Sequence, residues 1–252
     1  MISKNQAKLL RSLHKKKYRR EQGLFLVEGE KTVLELLASG WPLHQVFATP
    51  DFIQRFSADL DDLKVVPASA QELTQLGTLV SNQSALAVAI QPEPQPVSWQ
   101  AGNWILALDR INDPGNLGTI LRIADWYGIQ QLVCSPGTAE VFNPKVITAS
   151  KGSFLRVKVS YQPLDEFMQT LPEGTAVLGA YLEGENIHDL KLEKPGQGGI
   201  VVMGSEAQGI APELEDKITQ RVTLPGYGQA ESLNVGVATA LICDNLRRLE
   251  GG

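Results

Sequence analysis

Short apolar runs alternate along most of the chain with longer stretches in which apolar residues recur every three or four positions, the periods of strand and helix respectively. "GLFLVEG" predicts a strand ended by glycine. "EKTVLELLAS" predicts a helix with Val33, Leu34, Leu36 and Leu37 on its apolar face and Gly40 as its stop. "HQVFAT", "KVVPAS" and "ALAVAI" add short strands, separated by the helix-like "DFIQRFSADL" and "SAQELTQLG". Ahead of them, "SKNQAKLLRSLHKKKYRR" spaces Ile2, Gln6, Leu9, Leu10 and Leu13 as one narrow helical stripe behind a Ser3 cap. Residues 1–90 therefore read as a small α/β domain.

The three prolines in "QPEPQPVSWQ" favour an extended, stiff connector, so residues 91–101 read as a linker. From 102 to 252 the pattern is a βαβ series. It runs through strand "NWILALD", a helix to Tyr127, strand "QLVCS", helix "PKVITAS", strand "LRVKVS", helix "LDEFMQTL" and strands "AVLGAYL" and "GIVVMG". Helix "PELEDKI", strand "RVTLP" and a long helix "ESLNVGVATALICDNLRRL" complete it. Such a series predicts a mainly parallel sheet covered on both faces, with ligands bound beyond the carboxyl ends of its strands.

Composition narrows the classes. With 43% apolar and 20% charged residues the chain matches an average soluble globular protein. Its longest apolar run, "ALAVAI", is far short of the roughly 20 residues that span a membrane. Cys134 and Cys243 form no C-x-x-C pair, and His14, His44 and His188 lack metal-ligand spacing. No metal, no disulfide framework and a reducing cytoplasm are the expectations. The first 20 residues lack a secretory apolar stretch, while their basic, acid-free character leaves an organellar address open.

The net charge of −5 is unevenly spread. Lys4, Lys8, Arg11, Lys15, Lys16, Lys17, Arg19 and Arg20 fall within the first 20 residues, which hold no acid, leaving 15 basic against 28 acidic residues elsewhere. Such asymmetry is the footprint of a local phosphate-binding surface; a solvated helix face is the competing reading.

Three glycine-bearing loops follow three of the strands. In "DPGNLGTILR", Pro114, Gly115 and Gly118 suit a turn before a helix starting near Leu117, which offers its free N–H groups to an anion. Neither the dinucleotide fingerprint nor the Walker pattern is present. Arg122 lies off the apolar row of Ile120, Ala124 and Tyr127, where a lone arginine faces solvent. In "GSEAQGI", Gly204 and Gly209 flank Glu206, a cap or dipole partner by the ordinary reading, and Ser205 lacks the hydrolase elbow. In "LPGYGQAESLNVGVA", Gly226 and Gly228 permit tight backbone and Glu231 or Ser232 caps the helix. Leu233, Val237, Ala240 and Leu241 give that helix an apolar face, with Asn234 in its first turn.

Taken in order, "NDPGNLGTILRIA", "VVMGSEAQGI" and "LPGYGQAESLNVGVA" resemble the SpoU (TrmH) branch of the SPOUT RNA methyltransferases over roughly residues 103–249. The basic segment with "RREQGLFLVEGEKTVLELL" resembles the ribosomal-protein-like substrate-binding domain that often precedes that catalytic domain. The resemblance implies a SPOUT α/β domain with a deep C-terminal trefoil knot, and a homodimer. It also implies transfer of a methyl group from S-adenosylmethionine to a ribose 2'-hydroxyl of RNA, ribosomal (23S-type) ahead of transfer RNA. Carried over by motif, Arg122 is the catalytic arginine and Asn116, Glu206, Ser232 and Asn234 are its polar support. Ala180, Gly204, Leu224 and Leu233 hold the cofactor, largely through backbone atoms. Gly226 and Gly236 depart from the family pattern, which usually has methionine and serine there. Two other readings compete: a non-catalytic RNA-binding protein with the knot as dimerisation scaffold, and a small-molecule methyltransferase or nucleotide-binding enzyme. The basic first 20 residues and the missing G-x-G-x-x-G speak against the latter.

Overall fold

A computed structural model of the chain describes residues 1–60, 63–193 and 196–251. In chain order its elements are α1 (Lys4–Ser12), α2 (Lys16–Gln22), β1 (Leu24–Glu28), α3 (Glu30–Ala38), β2 (Leu43–Ala48), α4 (Pro50–Arg55), β3 (Val65–Pro67), α5 (Ala70–Leu76) and β4 (Ala85–Ile90). There follow β5 (Asn103–Leu108), α6 (Pro114–Trp126), β6 (Gln131–Cys134), α7 (Pro144–Ser150), β7 (Lys158–Tyr161) and α8 (Leu164–Gln169). The last are β8 (Ala176–Asn186), β9 (Gly198–Met203), β10 (Gln220–Thr223) and α9 (Val235–Leu249).

Two compact units result. One comprises Met1–Glu93 together with Glu140–Leu155; the other comprises Pro94–Ala139 and the chain from Arg156 onward. In the first, the sheet order is β1-β4-β2-β3, with β4 antiparallel to both β1 and β2, and β3 parallel to β2. Successive side chains of β1 point to opposite faces, so each face needs its own cover. Leu10, Leu13, Leu73 and Leu76 pack with Leu26, Phe47 and Leu86 on one side. Phe25, Val27 and Val46 pack with Val33, Leu36 and Phe52 on the other, joined by Ile147 and Phe154. That burial draws Glu140–Leu155, including α7, into this unit, so packing departs from the uninterrupted domain expected over 102–252.

The single basic helix expected at the start is broken. Ser3 and Gln6 form a reciprocal capping box on α1, but Leu13 ends it and Lys15 is extended (φ −102°, ψ 131°). The break lets Leu10, Leu13 and Arg19 all turn inward.

In the second unit six strands run in the order β10-β8-β9-β5-β6-β7, every neighbouring pair parallel. β9 is buried throughout, which is why its sequence reads as a nearly continuous apolar run. Parallel direction places the carboxyl ends of β10, β9 and β5 at one edge of the sheet. The register of β10 on β8 shifts between Arg221 and Val222, whose partners jump from Gly179 to Glu185. Two helix starts differ from expectation: α6 begins at Pro114 under an Asp113 cap, and α9 begins at Val235 under an Asn234 cap. Gly115 and Gly118 thus belong to the helix itself. Residues Pro212–Lys217 form a 3₁₀ turn where an α-helix was expected.

Candidate active site

The loops after β5, β9 and β10 converge on one hydrogen-bonded set. Asp113 accepts the Asn116 backbone N–H at 2.8 Å, which fixes the first turn of α6. Asn116 Nδ2 donates to Glu206 Oε1 at 3.0 Å. Asn234 Nδ2 donates both to that oxygen at 3.1 Å and to Asn116 Oδ1 at 2.9 Å. The other end of the Asn234 amide accepts from Gly236 N at 2.9 Å and Val237 N at 3.4 Å. One side chain therefore caps α9 and ties three loops together.

Glu206 is presented by a tight turn. Gly209 N donates to Ser205 O at 2.8 Å and Ser205 N to Gly209 O at 3.2 Å. Gly209 is left-handed (φ 65°), and a Cβ on Gly204 would stand 2.2 Å from the Gly209 carbonyl carbon. Both glycines are required for the turn to close.

A cleft of about 460 Å³ adjoins the set, lined by Arg110, Asp113, Asn116, Glu206 and Gln208 among others. Asp109, behind its wall, is only 3% exposed. The sequence reading missed Asp109, Arg110 and Gln208; a charged Asp-Arg pair at a strand end, "LALDR", is the one signal it offered.

The four positions carried over for S-adenosylmethionine lie on adjacent elements. Gly204 follows β9, Ala180 sits in β8 at the register shift, and Leu224 follows β10. Leu233 is 49% exposed. Among the described residues, 224–233 make no hydrogen bond, so their backbone polar groups are left without a protein partner there. A site that recognises its ligand through backbone atoms needs such a donor and acceptor set, and these residues fit the group.

Arg122 is exposed on α6, roughly 9 Å along the helix from Asn116. Among the described residues its side chain forms no hydrogen bond or ion pair. Ser232 is likewise exposed and unbonded among them, outside the Asn116–Glu206–Asn234 set.

Two expectations need correction. Arg19 is 1% exposed, donates to Leu13 O and is ion-paired with Glu140, so it is not available to bind RNA. Lys4, Lys8, Arg11, Lys15, Lys16, Lys17 and Arg20 are exposed; the i, i+4, i+7 spacing places Lys4, Lys8 and Arg11 on one stripe of α1. The apolar face expected on α9 points outward, with Val237 at 49% and Leu241 at 42% exposure. Val235, Thr239, Ile242 and Leu246 occupy the buried side.

Comparison with known proteins assigns the family. Residues 103–244 match the SpoU rRNA Methylase family, and residues 4–87 match the MRM3-like substrate binding domain. The chain is 32% identical over 249 residues to the 23S rRNA (guanosine(2553)-2'-O)-methyltransferase RlmP of Bacillus subtilis, covering 97% of each. Among solved structures, a protein assigned to the TrmH family of RNA methyltransferases from Porphyromonas gingivalis superposes with a TM-score of 0.86 at 37% identity, over 98% of this chain and 99% of that one. An AdoMet-bound rRNA methyltransferase from Sinorhizobium meliloti gives 0.87 at 25% identity, over 98% and 97%. With more than half its length matched by the family's own pattern, the chain belongs to the SpoU methylase family.

Proposed function

We propose that this protein is an RNA 2'-O-ribose methyltransferase acting on ribosomal RNA of the large subunit, with a guanosine as its target nucleotide. The observation that carries this reading is the convergence of Asn116, Glu206 and Asn234 from three separate loops onto one bonded set, within a chain of the SpoU family. The relative named for guanosine methylation covers nearly the whole chain, which supports the choice of RNA and nucleotide.

S-adenosylmethionine would be held by backbone groups at Ala180, Gly204, Leu224 and Leu233 and would supply an electrophilic sulfonium methyl, with the neutral thioether as leaving group. A ribose hydroxyl is a weak nucleophile, so the protein has to orient it and relieve it of its proton. Arg122 does not serve as the base, because guanidinium stays protonated. Its free, exposed donors hold a phosphate of the RNA and stabilise negative charge developing on the 2'-oxygen. The hydroxyl proton passes to that phosphate or to another group at the site. Glu206 fixes the amides of Asn116 and Asn234, whose rigid polar edges line the place of the ribose, and Ser232 adds a hydroxyl on the same loop.

The exposed residues of α1 and α2, without Arg19, form the phosphate-contacting surface of the first unit. A second copy covers the outward apolar residues Trp126, Leu233, Val237 and Leu241, giving a homodimer. The knot that the resemblance implies would fall within the second unit. No helix among the described residues is long and apolar enough to cross a membrane, and no group of metal-ligating side chains is found there. Two free, buried cysteines suit a reducing cytoplasm.

The test is transfer of labelled methyl to ribosomal RNA from cells lacking the gene, followed by mapping of 2'-O-methyl positions. Label in one large-subunit guanosine is expected, with a loss of about 100-fold or more in Arg122→Ala and Arg122→Lys at unchanged cofactor affinity. Near-normal turnover in the alanine variant removes Arg122 from the mechanism.

A further inference from the structure

Arg110 has a left-handed backbone (φ 55°), one of two such non-glycine residues among those described. The other, Lys151, ends helix α7, where that conformation is ordinary. Arg110 ends no helix. It sits between strand β5 and the Asp113 cap, where an L-residue in this region costs about 1–2 kcal/mol and persists only when its surroundings hold it there.

Those surroundings are elaborate. Arg110 N donates to Ser135 Oγ at 2.8 Å. Its Nε and Nη2 donate to buried Asp109 Oδ2 at 3.2 and 3.0 Å, and that oxygen also accepts from Ala211 N at 2.9 Å. Nη1 donates to Gln208 Oε1 at 3.0 Å. A Cβ on Gly137 would stand 3.1 Å from Arg110 Cγ, so a glycine leaves room for the stem. Oriented nitrogen-inward, the Asn112 amide donates to Gly137 O at 2.6 Å and Arg110 O at 3.2 Å. Of the five guanidinium N–H groups, one on Nη1 and one on Nη2 remain without a partner among the described residues, and the side chain is 32% exposed at the cleft shared with Asn116 and Glu206.

We infer that Arg110 is a specificity-determining residue: its two remaining N–H groups donate to the acceptor edge of the target base, selecting guanine. The inference rests on the RNA methyltransferase reading above. The charge of the cleft argues for a base over a phosphate. Asp109 offsets the guanidinium, and the carboxylates of Asp113 and Glu206 lie in the same wall, which disfavours a bare anion. Guanine presents two neighbouring acceptors, O6 and N7, the partners to which an arginine donates a bidentate pair. A fixed guanidinium loses little freedom on making that pair, which gives the strained backbone a use.

The experiment uses the full chain, wild type, Arg110→Gly and Arg110→Lys, with transcripts of the mapped methylated segment carrying G, A, C or U at the target position. Glycine adopts the same backbone without strain, which offsets part of the cost of leaving Asp109 with Ala211 N as its donor, so Arg110→Gly is expected to keep the fold with a Tm lower by a few degrees. Cofactor affinity is unchanged in both variants. The preference of kcat/KM for G over A falls by about tenfold or more in Arg110→Gly, and Arg110→Lys does not restore it. Unchanged base preference in an active Arg110→Gly enzyme overturns the inference alone. So does an equal loss on all four transcripts with a shallower salt dependence, which marks a phosphate contact. Absence of methyl transfer by the wild type overturns this inference and the proposed function together.

Discussion

Asn234 Nδ2 lies 2.9 Å from Asn116 Oδ1 and bonds residues 118 positions apart, while the opposite end of the same amide caps helix α9. Structural and chemical contributions of Asn234 are therefore separable by substitution. Serine preserves an acceptor for the helix N–H groups but has no second donor to reach Asn116 and Glu206. Asn234→Ala is expected to lose about 1 kcal/mol of stability, and Asn234→Ser to recover most of it. Turnover stays low in both. Urea unfolding alongside single-turnover methyl transfer separates the two effects; recovery of turnover by serine would show that the cap alone matters.

Arg19 and its neighbours in the basic segment give opposite responses. Arg19 is ion-paired with Glu140 and its Nε is buried without a partner among the described residues, so removing the side chain strands a carboxylate that is itself mostly covered. Arg19→Ala is expected to cost about 3–5 kcal/mol, as breaking a buried pair does. Replacing Lys4, Lys8 and Arg11 together with glutamine leaves stability within about 0.5 kcal/mol, since none is buried. It lowers the slope of log affinity for RNA against log salt by about 0.7–0.9 for each phosphate no longer neutralised. An unchanged slope returns these three residues to the role of a solvated face.

Burial pushes the Cys134 thiol up, and raises that of Cys243 to about 12 despite the opposing charge of Arg247. Because both folded-state values lie above the unfolded value of about 8.5, the neutral thiols contribute stability that is fully present below that pH. It is lost as pH rises from there through the folded values. Unfolding midpoints measured from pH 7 to 10 are expected to fall more steeply in the wild type than in Cys134→Ala and Cys243→Ala. Alkylation by iodoacetamide at pH 8 is expected to be slow in the native protein and fast in urea. Rapid labelling of the folded chain contradicts the burial of both thiols.

The strands were legible because those of a parallel sheet are buried on both faces and read as unbroken apolar runs, as in "GIVVMG". Asn116, Glu206 and Asn234 were legible by family motif; their mutual bonds were not, because nothing local brings together residues so distant in the chain. Charge pattern alone does not distinguish buried Arg19 from exposed Arg20, since burial depends on where the helix breaks. Leu233, Val237 and Leu241 share a helical spacing that ordinarily marks a core face, but a second apolar stripe on α9 took the inside. The left-handed backbone of Arg110 had no sequence signal, as that conformation is announced by glycine or asparagine. The packing of Glu140–Leu155 into the first unit depends on Phe25 and its neighbours in β1, set by tertiary contacts rather than by propensity.

Gly236, where the family pattern usually has serine, has a local cause in this chain. A Cβ there would stand 3.0 Å from Thr119 Cγ2 and 3.2 Å from the capping oxygen of Asn234, so Thr119 on α6 already fills the space a larger residue needs. In an open helix, replacing glycine by alanine gains about 0.4–1 kcal/mol by restricting the unfolded chain. Here Gly236→Ala is expected to gain nothing or to lose stability, because Thr119 is pushed back. Thr119→Ser removes the offending methyl, so the double variant Thr119→Ser with Gly236→Ala should recover the gain. A double-mutant cycle is expected to give a favourable coupling of about 0.5–1.5 kcal/mol, the range for residues in direct contact. Strict additivity would mean that α6 and α9 move apart freely at this point, and that the glycine answers to something other than Thr119.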